Sequence, residues 1–364
     1  MAVRRVASQP GSHGTEWQCL SSATNTQASG SLTIASEPAL PYVSELQQDR
    51  LAELIRPIRE ALDLYDLGAD LGIRPRSAAE LIHAAERLCS LVRATKLRDA
   101  ALELPGTIAE ITTAAHLAGS SELWAALEST FRTAHDVAVK LGYYDLSTVA
   151  LDRMGWAAER ASDPLLAAVR QYMRALVYFR EGAYTIGQRL IASGQGLADR
   201  APAARERFAV AGQLHLGASI IAARAQDAGL VTSHLAEARQ YAKRTGEANN
   251  VLWLSFGPTN VLVHGVSASI EMRDFGEALT RAAEVEIPTS WATSRAAHFH
   301  VDKARAQMET EYPAAALDSL ITARRLAPQQ TRYHPGARET IRSLIRLSRR
   351  TPDTLDHLAA WVGL

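Results

Sequence analysis

"YMRALVYFREGAYTIGQRLIASG", residues 172–194, decides how this chain folds. Ala175 and Tyr178 stand before Gly182, and Tyr184, Gly187, Ile191 and Gly194 follow it. Their spacing is helical on both sides of the glycine, with no strand-like alternation. Two helices that reverse across a tight turn need a bend residue free to enter the left-handed region. They also need small residues where their axes cross.

The same order of residue types returns along the chain. "KLGYYDLSTVALDRM" supplies Gly142, Tyr144, Ser147 and Leu151, and "MRDFGEALTRAAEV" supplies Phe275, Ala278 and Ala282. "AALDSLITARRLAP" supplies Ala316, Leu320, Ala323 and Pro328, with Ala304 upstream. "QDAGLVTSHLAEA" gives Ala228, Leu235 and Ala238, and "TKLRDAALELP" gives Leu97, Ala100 and Leu104. This is the pattern of a helix-turn-helix repeat of tetratricopeptide type. The turn positions 142, 182, 226, 273 and 311 are separated by 40, 44, 47 and 38 residues. Those steps exceed the roughly 34 of the standard repeat, so the units are degenerate, with longer helices or loops. The expected fold is all-α, a right-handed superhelix of degenerate tetratricopeptide-like helix pairs. The alternative is an irregular helical bundle.

Composition agrees. Hydrophobic residues make up 47% of the 364 residues and aromatics 6%, a mixture rich in Ala and Leu that favours helix. Lys+Arg and Asp+Glu balance at 39 each. A chain that grips nucleic acid shows a basic excess or cluster, so direct DNA binding through these residues is disfavoured. Two cysteines, Cys19 and Cys89, suit a reducing cytoplasm rather than a disulfide framework. No apolar run is long enough to cross a membrane. The opening "MAVRRVASQPGSHG" has no apolar segment behind its arginines and does not read as a secretory signal.

Residues 1–43, rich in Ser, Thr and Gly, read as a disordered tail ahead of a helical domain over 44–364. Helix starts are written in several places. "SELQ" from Ser44 and "SAAE" from Ser77 are capping boxes. "SDP" offers Asp163 as N-cap before Pro164, and "TPD" offers Thr351 before Pro352.

Several stretches, taken in order, resemble a known family. They are "LPGTIAEI", "KLGYYDLSTVALDRMGWAAERASDP", "FGPTNVLVH", "SRAAHFHVDKARA", "LAPQQTRYHPGARE" and "LAAWVGL". They look like the tetratricopeptide-like C-terminal region of actinobacterial XRE-type helix-turn-helix transcriptional regulators, from about residue 45 to the end. The resemblance implies a sensor or interaction half whose DNA-reading half is absent from this chain. Arg273 stands where that family often has glycine at the turn.

In such an array the first helix of each pair lines the concave side. Counting back 18 and 14 residues from Ala278 gives Asn260 and His264, four apart on one face. The same count from Ala316 gives His298 and Asp302, and from Val231 it gives Gln213 and Gly217. From Gly187 it gives Val169 and Met173, with Tyr172 and Phe179 beside them. The expected groove is therefore polar at Gln213, Asn260, His264, His298 and Asp302 and apolar at Tyr172 and Met173. Amide and imidazole groups in that setting suit an extended peptide, a small signal molecule or a partner protein. The competing reading makes Asn260 a local backbone partner and His264 a core histidine bonded to a carbonyl. Trp253, Phe256, Trp124 and Trp156 read as packing anchors. His298 and His300 lie two apart and point differently, so no metal or other cofactor is implied. No nucleophile elbow or phosphate loop occurs, which argues against an enzyme. Self-association as a homodimer is left open by the sequence.

Overall fold

A computed structural model describes residues 45–348 and 352–364, with side chains from residue 53 onward. The tail expected over 1–43, Cys19, the Ser44 capping box and the Thr351 cap lie outside those residues. Among the described residues the chain is all-α, with a single isolated β-bridge between Ala248 and Phe256.

Two helices open it, α1 (Glu45–Asp63) and α2 (Ala78–Arg93). Then come α3 (Leu97–Ala118), α4 (Ser121–Leu141), α5 (Tyr144–Ala161), α6 (Pro164–Arg180) and α7 (Tyr184–Ala198). The centre holds α8 (Arg205–Arg224), α9 (Ala228–Thr245), α10 (Pro258–Glu271) and α11 (Phe275–Ala283). The end holds α12 (Thr293–Glu309), α13 (Pro313–Leu326), α14 (Pro328–Tyr333), α15 (Pro335–Leu347) and α16 (Asp353–Val362). The most extensive packing is within the consecutive pairs α4–α5, α6–α7, α8–α9 and α12–α13. The first helices also pack on one another, α6 on α8, α8 on α10 and α10 on α12.

Local chemistry sets the helix starts. Ser77 and Glu80 form the capping box of α2, and the Asp163 carboxylate accepts the N–H of Leu165 ahead of Pro164. In α16 the helix begins one residue later than the sequence reading, with Pro352 at the N-cap. The turns inside the pairs share one geometry. Gly142, Gly182, Gln226, Arg273 and Glu311 all have positive φ, and so does Thr95 between α2 and α3. At each, the next residue's N–H reaches back five residues. Tyr143 donates to the Ala138 carbonyl, Ala183 to Tyr178, Asp227 to Ala222, Asp274 to Ser269, Tyr312 to Gln307 and Lys96 to Leu91. This is the Schellman closure, and it leaves the chain heading back along the helix it has just finished. Five residues past each left-handed residue stand Ala100, Ser147, Gly187, Val231, Ala278 and Ala316, all buried. Ala228, expected at a packed position, is exposed as the first residue of α9.

The core is a chain of overlapping clusters. α8 gives Val210, Leu214, Ala218 and Ile221 to one cluster and Ala209, Leu216, Ala222 and Ala223 to the next. α10 is divided in the same way, Val261 and Ala268 against Val263, Val266 and Ile270. In α12, Ala296, Phe299 and Ala306 face one cluster and Val301, Ala304 and Met308 the other. A helix shared by two clusters must be apolar on two faces, which is how a stacked array differs from a closed bundle.

The extra length of the repeats is partly the segment 246–257 between α9 and α10. Gly257 has φ of 157°, and a Cβ there would come within 2.5 Å of Glu247 Oε2. Glu247 in turn accepts the N–H of Thr259 through Oε1 at 2.8 Å and so caps α10 from the preceding loop. Phe256 is fully buried, whereas Trp253 is only partly buried beneath the Arg93 guanidinium.

A non-glycine residue in the left-handed region is held there at a cost of about 1–2 kcal/mol. Arg273 is exposed, and its side chain forms no hydrogen bond or ion pair among the described residues. Arg273→Gly should therefore raise the urea unfolding midpoint, by an amount equivalent to about 1 kcal/mol.

Candidate functional site

One row of hydrogen bonds crosses four successive first helices. Gln213 on α8 donates through Nε2 to the Tyr172 hydroxyl on α6 at 2.9 Å. Its Oε1 accepts from Asn260 Nδ2 on α10 at 3.2 Å. Asn260 Oδ1 accepts from Arg295 Nη2 on α12 at 2.6 Å. His264 Nδ1 donates to the Asn260 carbonyl at 2.9 Å, one turn back. Gly217 makes room for this row, because a Cβ there would meet the Tyr172 ring at 2.8 Å. Each amide in the row uses both its oxygen and its nitrogen, so the row fixes the helices' register.

Farther along α12, Ser267 donates to Asp302 Oδ2 at 2.6 Å, and His298 Nε2 lies 3.7 Å from the same oxygen. His298 Nδ1 is 3.0 Å from His334 Nε2, which precedes α15. His298 keeps 37% of its side-chain surface accessible, yet burial, helped by Arg295, Lys140 and Arg180, drives its pKa down to about 3. His334 is depressed to about 3 for the same reason, and burial raises Asp302 above the usual carboxylate range. Lys140, His298, Asp302 and His334 all keep part of their surface accessible, and the hydrogen bonds that link α4, α10, α12 and α14 bring them together around one inward hollow.

The hollow is bounded on its other side by the start of the chain. Lys140 on α4 donates to Gln330 Oε1 on α14 at 2.8 Å, and Gln330 donates to the Ser294 carbonyl. The Arg98 N–H donates to Gln329 Oε1 at 3.1 Å. Arg93 Nη1 donates to the Trp253 carbonyl at 3.0 Å and to Ser255 Oγ at 2.8 Å, and Arg132 holds the carbonyls of Leu252 and Trp253. These contacts join α2–α4 to the segment before α10 and to α14. Leu252, Trp253 and Ser255 all have positive φ, so the clamped segment is strained.

The sequence-predicted residues fall as follows. Asn260, His264 and Gln213 are buried in the row, and Tyr172 closes it at one end. His298 and Asp302 are partly accessible on the wall of the hollow. Met173 requires correction. It is 5% exposed, and with Val169 it belongs to the large apolar cluster of α1–α8. Neighbours on a helix diverge by about 100°, so Tyr172 faces the row and Met173 the core. The local alternative for Asn260 does not hold, since its side chain bonds other helices; for His264 it does, since its ring nitrogen bonds a carbonyl.

Sequence reasoning missed Asp136, Lys140, Arg180, Arg295 and His334. Asp136 and Lys140 lie 11 and 7 residues before Ser147, Arg180 lies 7 before Gly187, and Ser267 lies 11 before Ala278. They extend the inner stripe two turns past the positions already counted. A count carried to the end of each first helix finds Asp136, Lys140 and Arg180, but not Arg295, which precedes the counted positions of α12, or His334, which lies between α14 and α15. A depression lined by Arg205, Glu206, Glu247, Asn249, Asn250, Val251 and Leu252 lies elsewhere and includes none of these residues.

No protein-family model, curated protein or solved structure matches the chain. No helix among the described residues is long and apolar enough to cross a membrane.

Other buried polar groups belong to the scaffold. Burial pushes the Cys89 thiol up to about 11, which leaves it unreactive. It also raises Glu128 to about 8 and lowers His135 to about 4. His135 and His264 are almost fully buried and neutral when folded, against an ordinary 6.5. Their contribution to stability is complete above pH 6.5 and is lost as pH falls towards 4 and 3. The loss approaches about 1.4 kcal/mol per pH unit for each imidazole. Glu128 acts in the opposite sense, because its raised pKa removes stability as pH rises from 4.5 to 8. Below pH 4.5 Glu128 no longer opposes the imidazole loss, and the carboxylates of Glu110 and Asp145, held below the usual range by Arg76 and Arg59, add to it as they take up protons. Denaturant midpoints should therefore fall with acid, and fall less steeply in His264→Gln.

Proposed function

We propose that this chain is a ligand-binding regulatory protein whose inner helical wall holds an extended peptide, a small signal molecule or a partner protein. The observation that carries the reading is the Tyr172–Gln213–Asn260–Arg295 row, which fixes four helices beside the accessible His298 and Asp302. Buried amides that satisfy one another supply a rigid floor. Imidazole and carboxylate groups beside it supply directional partners for a peptide backbone. Stacked pairs contact mainly their neighbours, so a ligand spanning α6 to α12 would shift curvature along the whole array. We read the chain as the sensor half of an XRE-type regulator, acting on nucleic acid only through another domain. The balanced charge supports that division of labour.

A scaffold role is the second reading. Leu64, Leu67 and Leu71 are 58%, 75% and 92% exposed between α1 and α2, well away from the inner wall in sequence. They offer an apolar contact that needs no hollow.

Two substitutions separate the readings. Peptides selected from a random library on the full chain should lose at least about tenfold in affinity for His298→Ala and for Asp302→Asn. Far-UV circular dichroism should be unchanged. Unchanged affinity, with binding abolished instead by Leu67→Ser and Leu71→Ser, would establish the scaffold role.

A further inference from the structure

The inner wall carries three cations on three helices, Lys140 on α4, Arg180 on α6 and Arg295 on α12. None has a carboxylate within ion-pair distance among the described residues. The one hydrogen bond from the Lys140 ammonium goes to the neutral amide of Gln330. Arg295 donates to the neutral amide of Asn260, and its Nε has no partner. The Arg180 side chain makes no hydrogen bond among the described residues and is exposed. The positive charges of all three reach His298, and those of Lys140 and Arg180 reach His334, whose Nδ1 is buried without a partner. Gln330, which Lys140 binds, also donates to the Ser294 carbonyl beside Arg295, one turn before His298, so the cations stand around one imidazole pair.

Two arginines nearby are paired with a carboxylate. On the neighbouring helices Arg224 lies 2.9 Å from Glu271, and Arg305 lies 3.7 Å from the same carboxylate. The hollow itself holds two carboxylates. Asp302 is engaged by Ser267, and Asp136, which makes no ion pair, faces Lys140 and Arg180. The cations beside the imidazole pair outnumber these two carboxylates. Burial lowers the pKa of Lys140 and Arg295, and the charges of Asp136 and Asp302 offset only part of that cost.

We infer that the hollow bounded by Lys140, Arg180, Arg295 and the His298–His334 pair is the subsite for an anionic oxygen group of the ligand, a carboxylate or a phosphoryl. Guanidinium and ammonium groups converging from three helices match the several oxygens of such a group. This deepens the ligand-binding reading above and rests on it.

The full chain is titrated by calorimetry with inorganic phosphate and with one random hexapeptide pool made as free acids and as C-terminal amides. The expected result is binding of the free-acid pool at least about tenfold tighter than the amide pool. That preference should disappear in Arg180→Gln and Lys140→Gln and return in Arg180→Lys, with thermal midpoints confirming that each variant folds. Binding of phosphate but of neither pool, sensitive to the same substitutions, would also support the anion subsite. It would place the oxyanion on a phosphoryl compound and remove the peptide from the proposed function. Equal binding of acid and amide pools, indifferent to Arg180→Gln, would overturn the anion subsite and leave the peptide groove standing. If no probe bound, both would fall.

Discussion

A backbone conformation repeated at fixed intervals governs this structure. At Thr95, Gly142, Gly182, Gln226, Arg273 and Glu311 the chain enters the left-handed region, and the next N–H closes onto a carbonyl five residues back. Each closure reverses the chain. A helix crossing then follows, and the residue five positions past the turn is buried at it. Only a short side chain lets the helices approach there, and Ala, Ser or Gly fills that place in five of the six turns. The positions of the first helices, and hence of everything on their inner stripe, follow from those reversals. Glycine occupies two of the six turns. At the others side-chain sterics oppose the conformation, and the packing on either side overrides them.

The division of each first helix between two clusters explains why α8 and α10 are buried nearly all round. It also explains why their polar residues are few and paired. A lone amide at Gln213 or Asn260 would carry a desolvation penalty of a few kcal/mol. The two amides cancel that penalty by bonding each other and by passing the remaining valences to Tyr172 and Arg295. The row is thus the polar counterpart of the apolar clusters, and like them it is satisfied only when neighbouring pairs are in register.

The turns and crossings were legible in the sequence because they rest on local chemistry. Gly142, Ser147, Gly187, Ala278 and Ala316 stand at positions where residue size alone decides what fits. The row was legible in part, since a constant offset from the crossing found Gln213, Asn260, His264, His298 and Asp302. It failed at Met173, where a one-residue drift in α6 puts Tyr172 on the inner side instead. Contacts between sequence-distant segments could not be read at all. Nothing near Lys140 announces Gln330, and nothing near Arg93 or Arg132 announces the carbonyls at 252 and 253. These arise from the way the C-terminal helices return to α2–α4, and no local periodicity encodes that return.

Register across the first helices is the proposition on which the wall, the hollow and their chemistry stand. The most direct measurement is a double-mutant cycle on Gln213 and Asn260, 47 residues apart in sequence and bonded only if α8 and α10 pack as described. Gln213→Leu and Asn260→Leu should each destabilise the fold. The double variant should lose less than the sum of the two, by about 1 kcal/mol or more. Strict additivity, within about 0.3–0.5 kcal/mol, would mean that the two amides do not meet and that the inner wall is not built as described.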